Sequence, residues 1–154
     1  MDKKLLKQAI ELAKANVEDG GGPFGAIIVK EGVIISSAAN KVTQKNDPTA
    51  HAEVLAIRQA AEKLGTWNLE GCELYTSCEP CPMCMGAVYW AHLDKVYYAS
   101  GHEDARKAGF DDSEIYSEMK KDVKDRKLSM HQEMRAEGNE AFAKWMEKVD
   151  REEY

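Results

Sequence analysis

The chain has 154 residues and a formal net charge of −6 at pH 7, with 44% hydrophobic and 31% charged residues. This length suits one domain with a real hydrophobic core, and the acidic balance argues against a nucleic-acid surface, which needs a clustered basic face. No window approaches the roughly 18 consecutive apolar residues of a membrane span, so we expect neither a nucleic-acid partner nor a membrane partner.

The first half of the chain predicts a helix, a β-hairpin and a second helix. Apolar residues recur at helical spacing over 5–17, and the glycines at 20–22 end that helix. The segments 24–29 and 33–38 have the composition of two strands joined by a tight turn. Asp47-Pro48 predicts the N-cap and first position of the second helix.

The second half predicts two more strands and two more helices. ELYTSC (73–78) and KVYYAS (95–100) are strand-like, and an apolar helix begins with prolines at 82 and runs to about 92. Phe142, Trp145, Met146 and Val149 predict a C-terminal helix over 139–150. A hairpin followed by alternating helices and strands predicts one α/β domain over 1–154, in which a central mixed sheet of about five strands carries helices on both faces.

Three of the four cysteines fall within TSCEPCPMC, and two of these suit a metal site. The N-terminus lacks the uninterrupted apolar core of an export signal, so we expect a reduced cytoplasmic setting, where thiols more often bind metal or react than pair. Cys81 and Cys84 stand three apart at a helix start, which places both sulfurs on one side of the first turn. The positive end of the helix favours thiolates there. Two thiolates half fill the tetrahedron of zinc.

A third ligand comes from PTAHAEVLA, thirty residues upstream. His51 and Glu53 lie about 200° apart around an ideal helix, so both can reach only a point just beyond the helix end. That geometry predicts a metal between two helix N-termini, held by His51, Cys81 and Cys84. Glu53 would lie beside the bound water and take its proton.

Other uses of the cysteines are weaker. A ferredoxin-type iron–sulfur run lacks the fourth cysteine followed by proline, and a redox Cys-x-x-Cys pair leaves His51 and Glu53 without a role. A structural zinc, in a non-enzymatic module, would need a fourth ligand from Cys72 or Cys78, which we expect to be packing residues. In order, H-x-E and P-C-x-x-C form the zinc-deaminase signature.

With these motifs the sequence resembles the cytidine deaminase superfamily, and more narrowly the small bacterial guanine deaminases. GGPFGAIIV, NDPTAHAEVLAIR, LYTSCEPCPMCMGAVYWA, AGFDDSEIY and the terminal EEY carry the resemblance. It implies one zinc ion per chain on His51, Cys81 and Cys84, with Glu53 as proton shuttle. The reaction implied is hydrolytic: zinc-bound hydroxide attacks a ring carbon and ammonia leaves, which converts guanine to xanthine. Another base or nucleoside, such as cytosine, cytidine or guanosine, remains an alternative substrate.

The resemblance also implies a purine pocket and a homodimer. The pocket residues are Phe24, Asn40, the backbone of Ala52, Trp90, Asp112 and Tyr154. Asp112 would be a second carboxylate that bonds the base or relays protons. Tyr154 would close the site from the neighbouring subunit of a domain-swapped dimer. Each of these residues also has an ordinary structural explanation: Phe24 as a core residue, Trp90 as an apolar-helix residue, Asn40 as a turn former and Asp112 as part of a solvated loop. The remaining histidines, His92, His102 and His131, have no metal-like spacing.

Overall fold

The computed structural model describes all 154 residues, which form two compact units, Met1–Asp112 and Ser113–Tyr154. In the first unit the elements are α1 (Lys3–Glu18), β1 (Gly25–Lys30), β2 (Val33–Ala39), α2 (Val42–Lys45), α3 (Ala52–Leu64), β3 (Cys72–Cys78), α4 (Pro82–Trp90), β4 (Lys95–Ser100) and α5 (His102–Lys107). In the second unit they are α6 (Ser113–Met119), a 3₁₀ turn (Val123–Asp125) and α7 (Arg135–Glu147). None of these helices has both the length and the apolar character needed to cross a bilayer. That residues 1–154 act as one domain stays a prediction.

The sheet of the first unit is mixed and has four strands in the order β2-β1-β3-β4. β1 runs antiparallel to both β2 and β3, and β3 runs parallel to β4. The mixed sheet was predicted correctly, but the expected count of about five strands was one too many. After β4 the chain enters α5, whose first turn carries Glu103 and Asp104, and acidic residues favour a helix N-terminus over a strand.

The predicted hairpin is confirmed, and its turn residues explain its tightness. Glu31 and Gly32 both have positive φ, 50° and 77°, as required by the two-residue turn that matches the right-handed twist of paired strands. The resulting central strand β1 is almost fully buried, which agrees with its continuous apolar sequence.

Helices cover both faces of the sheet, as predicted, because side chains along β1 alternate between two cores. Ala26 and Ile28 point to the core shared with α3 and α4, while Ile27 and Val29 point to the core shared with α1. The α1 helix lies so close to the strand that a Cβ at Gly25 would stand 2.4 Å from the carbonyl oxygen of Ala9. The three-layer arrangement therefore depends on a glycine at that crossing.

The start predicted for the second helix was wrong. The Asp47 carboxylate accepts hydrogen bonds from the backbone N–H and the hydroxyl of Thr49, at 2.8 and 2.7 Å. This Asx-type turn competes with a helix start, and α3 begins only at Ala52, with His51 as its N-cap. The short helix α2 before the turn was not predicted.

The C-terminal helix exists, but it spans Arg135–Glu147 rather than 139–150. Lys148 is extended, with φ −71° and ψ 115°, so Val149 lies beyond the helix and is fully exposed. Phe142 and Met146, which belong to the predicted apolar stripe, are mostly exposed in this unit.

Candidate metal and catalytic centre

The structure brings the three predicted ligands together. The ligand atoms of His51, Cys81 and Cys84 all lie within 4.8 Å of one another. Nδ1 of His51 is 3.5 Å from each of the two sulfurs. Zinc–sulfur bonds of about 2.3 Å and zinc–nitrogen bonds of about 2.0 Å in a tetrahedron place nitrogen and sulfur about 3.5 Å apart. The donor types and their spacing therefore fit one zinc ion per chain.

Two of the three ligands occupy equivalent positions in their helices. His51 is the N-cap of α3 and Cys81 the N-cap of α4, yet neither side chain caps its own helix. Cys84 lies in the first turn of α4, where the free backbone N–H groups and the helix dipole favour negative charge. The sequence-based expectation of a metal site between two helix N-termini agrees with this arrangement.

The pKa values of the two ligand cysteines shift in opposite directions. The neighbouring Cys84 side chain and the contact with His51 outweigh burial and lower the pKa of Cys81 to about 4. The neighbouring Cys81 sulfur, together with burial, raises the pKa of Cys84. A dication in contact with both sulfurs would hold both as thiolates, because coordinating thiols are deprotonated outright.

Glu53 is held beside the ligands at the first turn of α3. Only 4% of the residue is exposed. One carboxylate oxygen accepts a hydrogen bond from the Thr76 hydroxyl at 3.3 Å, and the other accepts one from the Cys84 thiol at 3.5 Å. Burial raises the pKa of this carboxyl, and the charge on Cys81 raises it further. A buried carboxyl with a raised pKa is suited to taking up and releasing a proton.

Sequence reasoning missed Thr76, although its position carries a signal. The residue is fully buried in the middle of β3, and a buried hydroxyl needs a hydrogen-bond partner. A threonine in the middle of a buried strand therefore indicates a position where the sheet meets a polar group.

More carboxylates approach the centre around Cys78. Burial and then the negative charges of Glu53, Glu79 and Asp112 raise the pKa of this thiol to about 11. Asp112 thus lies close enough to Cys78 to affect the pKa of its thiol, and its role as a second carboxylate stays a prediction. His102, which has no motif and was given no role, lies between two of these acids. Its Nε2 is 3.2 Å from Glu79 and its Nδ1 is 3.4 Å from Asp112.

The predicted pocket residues fall into two groups. The Asn40 N–H donates to the carbonyl of Phe24 at 3.0 Å, and the Phe24 ring packs edge-on against Phe110, with ring centroids 4.9 Å apart. Ala52 is fully buried at the first position of α3, where a backbone N–H has no intrahelical partner. These residues belong to the first unit and lie in segments adjoining the ligands.

Trp90 and Tyr154 both have largely exposed side chains. Trp90 is 64% exposed at the end of α4, and Tyr154 is 74% exposed in the second unit. Their roles in substrate binding stay predictions, as do those of the other pocket residues.

Residues 1–100 match the family described as the cytidine and deoxycytidylate deaminase zinc-binding region. The chain belongs to this deaminase family. Membership in this family explains why one histidine and two cysteines occur together, because they form a zinc-binding set. An iron–sulfur cluster or a redox pair would leave the histidine unexplained. Cys72 and Cys78 are buried free thiols, and neither joins the ligand group.

Relatives of this deaminase differ in how much of the chain they match. It is 52% identical over 151 residues to a guanine deaminase from Bacillus subtilis (strain 168), covering 97% of both chains. The X-ray structure of guanine deaminase from Bacillus subtilis matches with a TM-score of 0.96 and 51% identity, over 100% of this chain and 99% of that chain. A guanine deaminase structure from Nitrosomonas europaea matches with a TM-score of 0.70 and 35% identity, over 73% of this chain and 65% of that one. A tRNA-specific adenosine deaminase from Aquifex aeolicus is 53% identical, but over only 62% of this chain and 64% of its own length.

Proposed function

We propose that this chain is a zinc-dependent hydrolase that converts guanine and water to xanthine and ammonia. The observation that carries the proposal is the cluster of His51, Cys81 and Cys84 with the Glu53 carboxylate 3.5 Å from one sulfur. It occurs in a chain that aligns end to end with a guanine deaminase. Zinc bound there would act as a Lewis acid, which makes water an effective nucleophile near neutral pH.

The protein contributes positioned proton transfer. Glu53 accepts the proton that water loses on attacking the amine-bearing ring carbon, at a carboxylate oxygen that burial has made more basic. It delivers this proton to the ring nitrogen, then takes the second proton from the hydroxyl group of the adduct and passes it to the departing amine, so that ammonia leaves as the neutral molecule. The Thr76 hydroxyl fixes the carboxylate by its hydrogen bond. Asp112 is proposed as the second carboxylate, which bonds the base or relays a proton.

Guanine is favoured over a tRNA base by the extent of the similarity. The tRNA-specific relative matches 62% of the chain, whereas the guanine deaminase matches 97%. We therefore assign substrate choice to the parts of the chain that match the guanine deaminase but not the tRNA-specific relative. A net charge of −6 also disfavours binding of tRNA, whose phosphates require a clustered basic surface. We place the base against Phe24, Asn40, the backbone of Ala52 and Trp90.

The proposal includes a homodimer in which residues 1–154 act as one domain and the C-terminal segment is exchanged. Phe142 and Met146 on α7 are about two-thirds exposed, and Tyr89 and Trp90 on α4 are also exposed. Apolar side chains on two helices suit burial against a second copy of the chain. Tyr154 would then cover the partner's site. The free thiols support a reduced, cytoplasmic setting.

An ammonia-release panel on the zinc-loaded protein tests the function. Guanine, guanosine, adenine, cytosine and cytidine are incubated separately, and ammonia and the deaminated base are both quantified. We expect one xanthine for each ammonia from guanine. Ammonia from cytosine or adenine but not from guanine would reject the substrate and keep the deaminase chemistry. Because of its 53% identity to the tRNA-specific relative, the chain should also be tested with an adenosine-containing tRNA anticodon stem-loop.

A further inference from the structure

A buried asparagine on α1 forms a clamp that the proposed mechanism does not use. Asn16 is 2% exposed. Its Nδ2 group donates to the carbonyl oxygens of Gly22 and Asn40, both at 2.8 Å. Its Oδ1 accepts a hydrogen bond from Nζ of Lys41, also at 2.8 Å. Both N–H donors of the side-chain amide and one lone pair of its oxygen are therefore bonded to protein groups.

The clamp joins three segments of the first unit: α1, the glycine loop and the end of β2. A Cβ at Gly21 would come within 2.3 Å of Nδ2 of Asn16, so the loop fits the amide only with glycine there. A Cβ at Gly22 would stand 3.2 Å from Oδ1 of Asn40. A side chain this deeply buried is usually apolar, and the amide of Asn16 satisfies two carbonyl oxygens that fix the path of these segments.

The clamp ends on residues that we place against the base. Asn40 also donates its backbone N–H to the Phe24 carbonyl, and its Oδ1 accepts the N–H of Val42 at 3.2 Å. This second bond fixes the amide orientation, because an N–H donor requires the oxygen on that side. The Nδ2 group of Asn40 donates to no protein group and is not a buried orphan, so it is available to an acceptor on a ligand.

A further link reaches the metal ligands. The backbone N–H of Lys41 donates to the carbonyl of Ala50 at 2.9 Å, one residue before His51. The segment that Asn16 holds is therefore bonded to the segment that carries the histidine ligand and Glu53.

We infer that Asn16 is a positioning residue for base recognition: it holds Asn40 so that the free amide of that side chain faces the base. The inference rests on the proposed function, since Asn40 is placed against the base only there. Asn16 touches neither substrate nor zinc and acts through Asn40.

The test uses Asn16→Asp in the full-length, zinc-loaded protein. Aspartate keeps the shape of the side chain and the contact with Lys41. Its carboxylate cannot donate a hydrogen bond, so an oxygen would face the carbonyl oxygens of Gly22 and Asn40 and repel them. Ser36→Ala is the matched control: the Ser36 hydroxyl is also buried and donates to the Ala56 carbonyl at 2.7 Å, outside the clamp. We expect Asn16→Asp to raise KM for guanine about tenfold with kcat changed less than about twofold, which is the signature of lost uniform binding. Ser36→Ala should leave KM unchanged.

A double-mutant cycle separates positioning from general destabilisation. In an Asn40→Ala background, Asn16→Asp should raise KM less than about twofold further, because the group it positions is gone. An equal rise in both backgrounds, or a rise matched by Ser36→Ala, would overturn the inference. If Asn16→Asp does not fold, Asn16→Ala removes the same two donated bonds and carries the same expectation.

A readout without turnover separates this inference from the proposed function. Equilibrium dialysis with radiolabelled guanine on the inactive Glu53→Gln chain gives a dissociation constant, which Asn16→Asp should weaken by the same factor as KM. In the Asn16→Asp protein, hydrogen exchange should be faster at the backbone N–H of Asn40, while the zinc content stays unchanged. A wild-type protein that neither binds nor deaminates guanine refutes the proposed function and, with it, this role. Guanine binding that Asn16→Asp leaves unchanged refutes the role alone.

Discussion

Replacing Glu53 with glutamine isolates proton transfer from every other property of the site. In the structure one carboxylate oxygen accepts from Thr76 and the other contacts the Cys84 sulfur. Glutamine can keep both contacts, because its oxygen still accepts from the threonine and its NH₂ can donate to the sulfur. We therefore expect the melting temperature and the zinc content to stay close to those of the wild type.

Turnover should fall far more than stability. General acid–base catalysis contributes about 10²–10⁴-fold, so losing the proton acceptor should raise the barrier by about 3–5 kcal/mol. Steady-state ammonia release with guanine measures the loss, and metal analysis by mass spectrometry on the same sample confirms one zinc per chain. Glu53→Asp is the control, since it keeps an acid but withdraws it from Thr76. A Glu53→Gln protein within about threefold of wild type, which is under 1 kcal/mol of barrier, would refute the role.

Three further changes test the metal, the tail and the packing of the sheet. Cys84→Ala should lose zinc and turnover together, whereas Cys72→Ala, at a buried thiol outside the ligand group, should keep zinc. Full zinc in the Cys84 variant would contradict the ligand set. Deleting 151–154 should keep zinc but sharply lower guanine turnover, and mixing that truncated chain with the inactive glutamine variant should restore part of it. A monomeric wild type in light scattering would exclude a shared lid. Gly25→Ala should destabilise by about 1–3 kcal/mol in chemical denaturation, because its Cβ would lie 2.4 Å from an α1 carbonyl oxygen. Gly86→Ala is the control: a Cβ there meets no atom within 4 Å, so this change should not destabilise the protein.

The sequence predicted the elements whose side-chain pattern is local. Helix α1, the hairpin and strands β3 and β4 each carry a clear periodicity, and the ligands were found because H-x-E and P-C-x-x-C specify chemistry as well as structure. The start of α3 was placed wrongly because the Asp47 carboxylate accepts hydrogen bonds from Thr49 within its own turn instead of capping a helix. Proline after aspartate is compatible with a turn as well as a helix start.

Other features depend on contacts between distant segments. A buried strand threonine indicates that Thr76 needs a partner, but the sequence does not show which one, and His102 carries no such signal. Each residue meets its partners only when β3, α3 and the segment after β4 come together. The Asn16 clamp is of the same kind, because its partners lie 6, 24 and 25 residues away. Periodicity marks Asn16 only as a polar residue on a helix, and its burial is a property of the folded chain.

The placement of ligands at the N-caps of α3 and α4 sets a limit on improving this protein. Asn, Asp or Ser at such a position typically stabilises a helix by about 0.5–2 kcal/mol relative to a residue that does not cap, and here both helices begin without a side-chain cap. A redesign guided by stability alone would therefore choose His51 and Cys81 for replacement first. Each exchange would gain helix stability and remove a metal ligand, so thermostable variants have to be sought elsewhere in the chain.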